Sequence, residues 1–267
     1  DLKRFIAETE SKTLQCHVQA LAARAEQRNS RQAVKKLCEL DSSGAMRFRH
    51  DPPLIFSFSE FQGKWLDHHM SQDAWNQQTY QLYLANLRPE LQTLLANFRW
   101  VDTAFKAVGV GSVGQRCAIG LWVDQRGDEV LVLQSKEAQP SVLAPYVNLP
   151  SPEHQGQRVV QGQRLMQTAS DAFLGWTDNP AGFQFYWRQF RDWKLSVDVA
   201  ILDAEGLSDY GRLCGWTLAK AHARSGDRAG ICNVIGSSKA FAATVLEQAV
   251  WHADQAERDY QALLSRI

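Results

Sequence analysis

The sequence predicts an α+β fold, with a small antiparallel five-stranded lobe beside a mainly helical one. Three observations predict it. Residues 108–114 read VGVGSVG, a full G-x-G-x-x-G with Gly109, Gly111 and Gly114, and the stretch that follows, Arg116 to Val123, is apolar and β-forming. A polar turn, Asp124-Gln125-Arg126-Gly127-Asp128, then separates that run from a second one, Val130 to Leu133, which leads to Lys136. Stretches on either side repeat apolar residues at helical spacing, with Leu14, Val18, Leu21 and Ala25 before and Phe241, Val245 and Ala249 after.

The bulk properties fit such a domain. The 267 residues are enough for a sizeable core and one or two domains. Basic and acidic side chains number 29 each, which argues against a polyanionic partner such as nucleic acid. Five cysteines, Cys16, Cys38, Cys117, Cys214 and Cys232, are widely spaced and odd in number, a pattern of a reduced, cytoplasmic setting. No apolar run is long enough to predict a membrane span.

Taken in order, Leu14 to Leu40 reads as helix with a break at Glu26 to Ser30, and Asp41-Ser42-Ser43-Gly44 as a turn. Met46 to Arg49 reads as a short strand. Pro52-Pro53 blocks helix, and Leu54 to Phe58 is extended. Helix returns over Trp75 to Leu87 and again from Pro89 through Phe98. Asp102 to Lys106 leads into the glycine loop. A proline-punctuated loop follows Lys136, then a helix over Gln157 to Ala169. Phe173 to Trp176 and Phe183 to Phe190 read as strands around the turn Asp178 to Gly182. Helices over Ser208 to Ala223 and Lys239 to Leu264 complete the chain. The domains expected are a mainly helical segment 1–100, a β-rich lobe 101–195 and a helical lobe 196–267.

The central stretch carries a specific chemistry. Phosphate oxygens approach a backbone closely only where no Cβ obstructs them, which glycine allows. A lysine on a rigid strand then supplies a fixed positive charge. Protein kinases use this order of parts, a glycine-rich loop over the ATP phosphates and a lysine on the third strand. In a dinucleotide-binding fold the glycines would open a helix, and here they do not. The same residues also read as a surface hairpin with Lys136 solvated at its edge. The helix after Lys136 offers Gln161, Gln163 and Gln167 where a kinase-like lobe has a glutamate for its lysine. Arg188, Arg191, Asp192 and Lys194 cluster at the end of the lobe, a ligand contact or a solvated edge. Further on, Gly226-Asp227 with Asn233 follows Leu218-Ala219-Lys220-Ala221-His222, in the manner of a catalytic base ahead of a metal-binding amide; helix capping is the alternative role for Asp227.

Several long stretches, VGVGSVGQRC, QSKEAQPSVL, GQRVVQGQRLMQTASDAFLGW, RQFRDWK and LAKAHARSGDRAG, resemble the bacterial domain of unknown function 2252 family. The resemblance spans residues 100 to 262, with a weaker match upstream at Asp51-Pro52-Pro53-Leu54-Ile55. It implies a protein-kinase-like or aminoglycoside-phosphotransferase-like fold. The family pattern places G-D-x-H-x-x-N-F-G and D-F-D-type segments ahead of the glycine loop, an order that implies circular permutation. Neither segment occurs here, so the resemblance implies a longer chain with an intact mass above 30.1 kDa.

The functional expectation is a kinase-like ATP-binding protein, a phosphotransferase in its complete form. Gly109, Val110, Gly111, Ser112, Val113 and Gly114 would cover the phosphates, Lys136 would contact them, and Arg191 would reach the ligand. Lys136 and Asp227 are the candidate catalytic residues. ATP and Mg²⁺ are the cofactors the resemblance implies, the metal's acidic ligands coming from outside this sequence. The partners expected are a nucleotide and a small-molecule or protein acceptor, without nucleic acid or membrane. The alternative is a non-catalytic, pseudokinase-like module that binds nucleotide or a partner.

Overall fold

The computed structural model describes residues 7–9, 11–26, 30–61, 71–107, 109, 114–148, 150, 152–190 and 196–266. The chain divides into two compact units, Asp1–Gly215 and Trp216–Ile267. The first is built on antiparallel β-structure. Cys38–Leu40 (β1) and Met46–Phe48 (β2) form a two-stranded sheet. A six-stranded sheet runs in the order β3-β4-β5-β6-β8-β7, from Ile55–Ser57 (β3), Phe98–Lys106 (β4), Cys117–Asp124 (β5), Val130–Glu137 (β6), Gly175–Asp178 (β7) and Gln184–Gln189 (β8). Among the described residues there are eight α-helices. They are Lys12–Glu26 (α1), Ser30–Leu37 (α2), Gln72–Ala85 (α3), Pro89–Leu95 (α4), Gln155–Met166 (α5), Ala204–Ser225 (α6), Arg228–Ile235 (α7) and Ser238–Leu264 (α8).

The central strands read as near-continuous apolar runs because both faces of the sheet are covered. On one face Ala104, Ile119, Leu121, Val132 and Phe190 pack with Ala33 and Leu37 of α2. On the other, Trp122, Leu131, Leu133, Phe185 and Trp187 pack with Tyr80 and Tyr83 of α3 and Leu91 and Leu95 of α4. Gly120 makes room for this packing, since a Cβ there would strike the Trp122 ring. The hairpin between β5 and β6 closes on Asp124, whose backbone N–H donates to the Glu129 carbonyl, with Gly127 at φ +85°.

Six strands replace the five expected. The extra one, β3, lies within the stretch read as extended, Leu54 to Phe58, and joins the sheet by pairing Ile55 with Lys106, Phe56 with Phe105 and Ser57 with Ala104, a long-range pairing that three residues do not announce in sequence. Two helix boundaries also move. The stretch expected as helix to Leu40 ends at Leu37, because Cys38 to Leu40 pair with Phe48 to Met46 across a turn held by the Asp41 carboxylate. The helix expected to reach Phe98 ends at Leu95, because Phe98 and Trp100 pair with Asp124 and Trp122. The short helix α7 is an addition to the elements expected from sequence.

The second unit holds the end of α6, then α7 and α8. Asp227 caps α7, its Oδ1 accepting from the Ala229 N–H at 3.0 Å. Among the described residues no single helix is long and apolar enough to cross a membrane; α7 and α8 pass that test only together, as a pair bent by 81°.

Candidate functional site

The glycine loop joins β4 to β5, and its two ends meet the sheet beside Lys136. Phe105 pairs with Ala118, so Lys106 and Cys117, the last and first residues of their strands, fall on one face by alternation. Cys117 pairs with Lys136, and Lys136 with Tyr186 of β8. Gln134, two residues before Lys136 and therefore on the same face, pairs with Arg188. Lys106, Lys136 and Arg188 thus come from three strands to one edge of one sheet face, where the glycine loop begins and ends.

Electrostatics tie the group together. Burial pushes the Cys117 thiol above its ordinary value; Lys136, Arg188, the Gln134 amide and Lys106 pull the other way without overcoming it. Three cations therefore act on a single buried sulfur. Gln134 is 2% exposed and holds this face in order. Its Nε2 donates to Cys117 Sγ at 3.5 Å, and its Oε1 accepts from Arg188 Nε at 3.0 Å and Nη2 at 2.9 Å. Arg188 is thereby fixed without its charge being neutralised by that contact.

Glu137 belongs to the opposite face. It accepts from Arg116 Nη1 at 2.9 Å and from the Arg116 backbone N–H. Burial raises its pKa, but these bonds outweigh burial and hold the carboxyl below its ordinary value. The Arg116 guanidinium also lies over the Phe183 ring, 3.6 Å from its centroid. Glu137 is therefore committed to bracing the loop's exit.

Of the residues singled out from sequence, Gly109, Gly114, Lys136 and Arg188 are brought to this edge. Gly114 has φ +82°, a conformation that favours glycine. Val110, Gly111, Ser112, Val113 and Arg191 lie outside the described residues, as do Asp192 and Lys194. Asp227 lies in the second unit with its carboxylate engaged as the cap of α7. Lys106, Cys117, Gln134 and Tyr186 were not singled out as site residues. For Gln134 the signal was present, because period two from Lys136 puts it on the lysine's face. Among the described residues, no group of three or more His, Cys, Asp or Glu side chains could hold a metal ion.

The fold and this edge define an α+β protein with a glycine loop set beside a basic row on an antiparallel sheet. The chain belongs to the family described as uncharacterized protein conserved in bacteria (DUF2252), whose model matches residues 1–266. No curated protein and no solved structure matches it.

Proposed function

We propose that this chain binds ATP through the glycine loop and the Lys136 face of the sheet, in a kinase-like, circularly permuted arrangement, and that the complete protein is a phosphotransferase. One observation carries the reading: Lys106, Lys136 and Arg188 share a sheet face at the point where the glycine loop leaves and rejoins the sheet. The order of parts supports it as well. Strand, glycine loop, strand, turn and lysine strand are followed by α5 and then by the hairpin of β7 and β8, of which β8 pairs with the lysine strand and β7 forms the sheet edge. The residues present fit a triphosphate, which needs cations and bare backbone. ATP would bring Mg²⁺, which neutralises charge between the phosphates; the described residues of this face supply no carboxylate cluster for it. The chain's own contribution is to orient the phosphates and offset their charge.

The test is thermal unfolding with and without MgATP. At about 100 times its Kd, a ligand of the native state alone adds about 2.7 kcal/mol, a rise on the order of 5 °C for a chain of this size. Lys136→Ala should weaken that effect by about tenfold or more, the scale of one charge-assisted contact. Stabilisation by MgATP that Lys136→Ala leaves untouched, or no stabilisation at all, defeats the proposal.

A second reading, a nucleotide-binding module without turnover, is favoured by α5. Its sequence, QGQRVVQGQRLM, has no acidic side chain to pair with Lys136. MgATP binding without phosphoryl transfer or ATP hydrolysis would select this reading.

A further inference from the structure

The face of the sheet opposite Lys136 holds a cavity of ≈ 60 Å³ between α3 and strands β4, β5 and β8. Its walls are aromatic, yet they carry unusual polarity. Asn76, Thr79, Trp122 and Trp187 line it, each at least nine-tenths buried, at 8%, 9%, 2% and 7% exposure. Asn76 Nδ2, Thr79 Oγ1, Trp122 Nε1 and Trp187 Nε1 have no hydrogen-bond partner. Among the described residues six buried polar atoms are in this condition, and four of them belong to these side chains around one cavity. Each such group costs about 1–3 kcal/mol when nothing meets it, and native proteins carry few of them. Their concentration around a single space points to an occupant.

The chemistry of that occupant follows from the donors. Indole nitrogens donate only. The Asn76 amide is oriented by a relay in which Trp100 Nε1 donates to Thr103 Oγ1 at 2.9 Å and Thr103 Oγ1 donates to Asn76 Oδ1 at 3.1 Å. Its Nδ2 hydrogens are the half of the amide left over. A hydroxyl completes the set. Arg116, also in the wall, is ion-paired with Glu137 at 2.9 Å, so the preference rests on the N–H and O–H donors, and no described lining residue is acidic. Such a wall meets acceptors and negative charge. The volume is that of about four water molecules, so the part that enters has few heavy atoms.

We infer that this cavity is a binding site for a small carboxylate, held by Asn76, Thr79 and the two indole N–H groups of Trp122 and Trp187. The site is separate from the proposed nucleotide face and does not rest on it. The two are joined through the sheet, since Ser135 lines the cavity on the strand position next to Lys136.

The test reads the donors themselves. The chain has nine tryptophans, so a ¹⁵N-labelled sample gives indole N–H signals that sodium propionate can be titrated against, with sodium chloride holding ionic strength constant. The Trp187→Phe variant identifies one signal. Propionate should move the Trp122 and Trp187 indole signals saturably, with a Kd of about 1 mM, a value ordinary for a ligand this small. Asn76→Leu should weaken binding by about tenfold, the scale of one hydrogen bond to a charged group. If that variant does not fold, the wild-type titration still decides. No saturable movement up to about 100 mM propionate overturns the site. Equal response to propionamide overturns the carboxylate assignment.

Discussion

At the scale of single residues, the cysteines give the sharpest expectations. Cys38 and Cys117 are buried, whereas Cys16, Cys214 and Cys232 are exposed. Burial pushes the Cys38 thiol up to about 12, with Asp102 adding to the rise and Arg49 opposing it. The Cys117 thiol moves in the same direction. A thiol-specific disulfide reagent at neutral pH should therefore modify three sulfurs in the native protein and five after unfolding. The same shifts predict a pH dependence. A thiol whose folded pKa exceeds its unfolded value leaves stability intact below about pH 9. Above that, the unfolded chain ionises first, and stability falls as pH climbs toward 12. Each such thiol contributes a slope of at most about 1.4 kcal/mol per pH unit. Urea midpoints flat from pH 8 to about 11 would contradict this.

At the scale of elements, two glycines separate turn chemistry from helix propensity. Gly114 has φ +82°, and a Cβ added there would meet nothing within 4 Å, so conformation alone decides the outcome. Gly114→Ala should cost about 1 kcal/mol. Gly162 lies inside α5 with the same open space and no such φ. Gly162→Ala should stabilise by about 0.5–1 kcal/mol. Opposite signs in urea unfolding confirm the pair; equal signs refute it. These elements also show what could be read beforehand. Strands β5 and β6 were legible because apolar runs flank a polar turn containing Gly127. Strand β1 was hidden because Leu37, Cys38 and Leu40 extend the apolar pattern of the helix before them, and only the partner at Met46 to Phe48 ends it. The site divides in the same way. Gly114 and Lys136 announce themselves by local motif. Arg188 stands out locally only within a charge cluster, and Lys106 not at all; their place beside Lys136 comes through strand register, a relation between positions up to 82 residues apart that no local window contains.

At the scale of the whole molecule, burial is distributed unevenly, and hydrogen exchange should report it. Strands β5 and β6 are central in the sheet order, with Ile119, Leu121, Val132 and Leu133 fully buried between packed layers. Their amides open only when the sheet is lost, so they should exchange at the rate set by global unfolding. Helix α8 is the longest helix described, at 27 residues, and has no buried side chain. Its backbone bonds are complete, but no burial of its side chains stabilises the helix beyond its own propensity. It should therefore open locally, with a free energy near that of an isolated helix. In deuterium exchange followed by mass spectrometry, peptides from Ser238–Leu264 should exchange orders of magnitude faster than those from Cys117–Asp124 and Val130–Glu137. Equal protection of α8 and β6 would mean that the apolar side chains of α8, Phe241, Val245 and Trp251 among them, are covered in solution. Covering them would change the burial on which this ordering depends, and the exchange pattern along α8 would then locate the covered stretch.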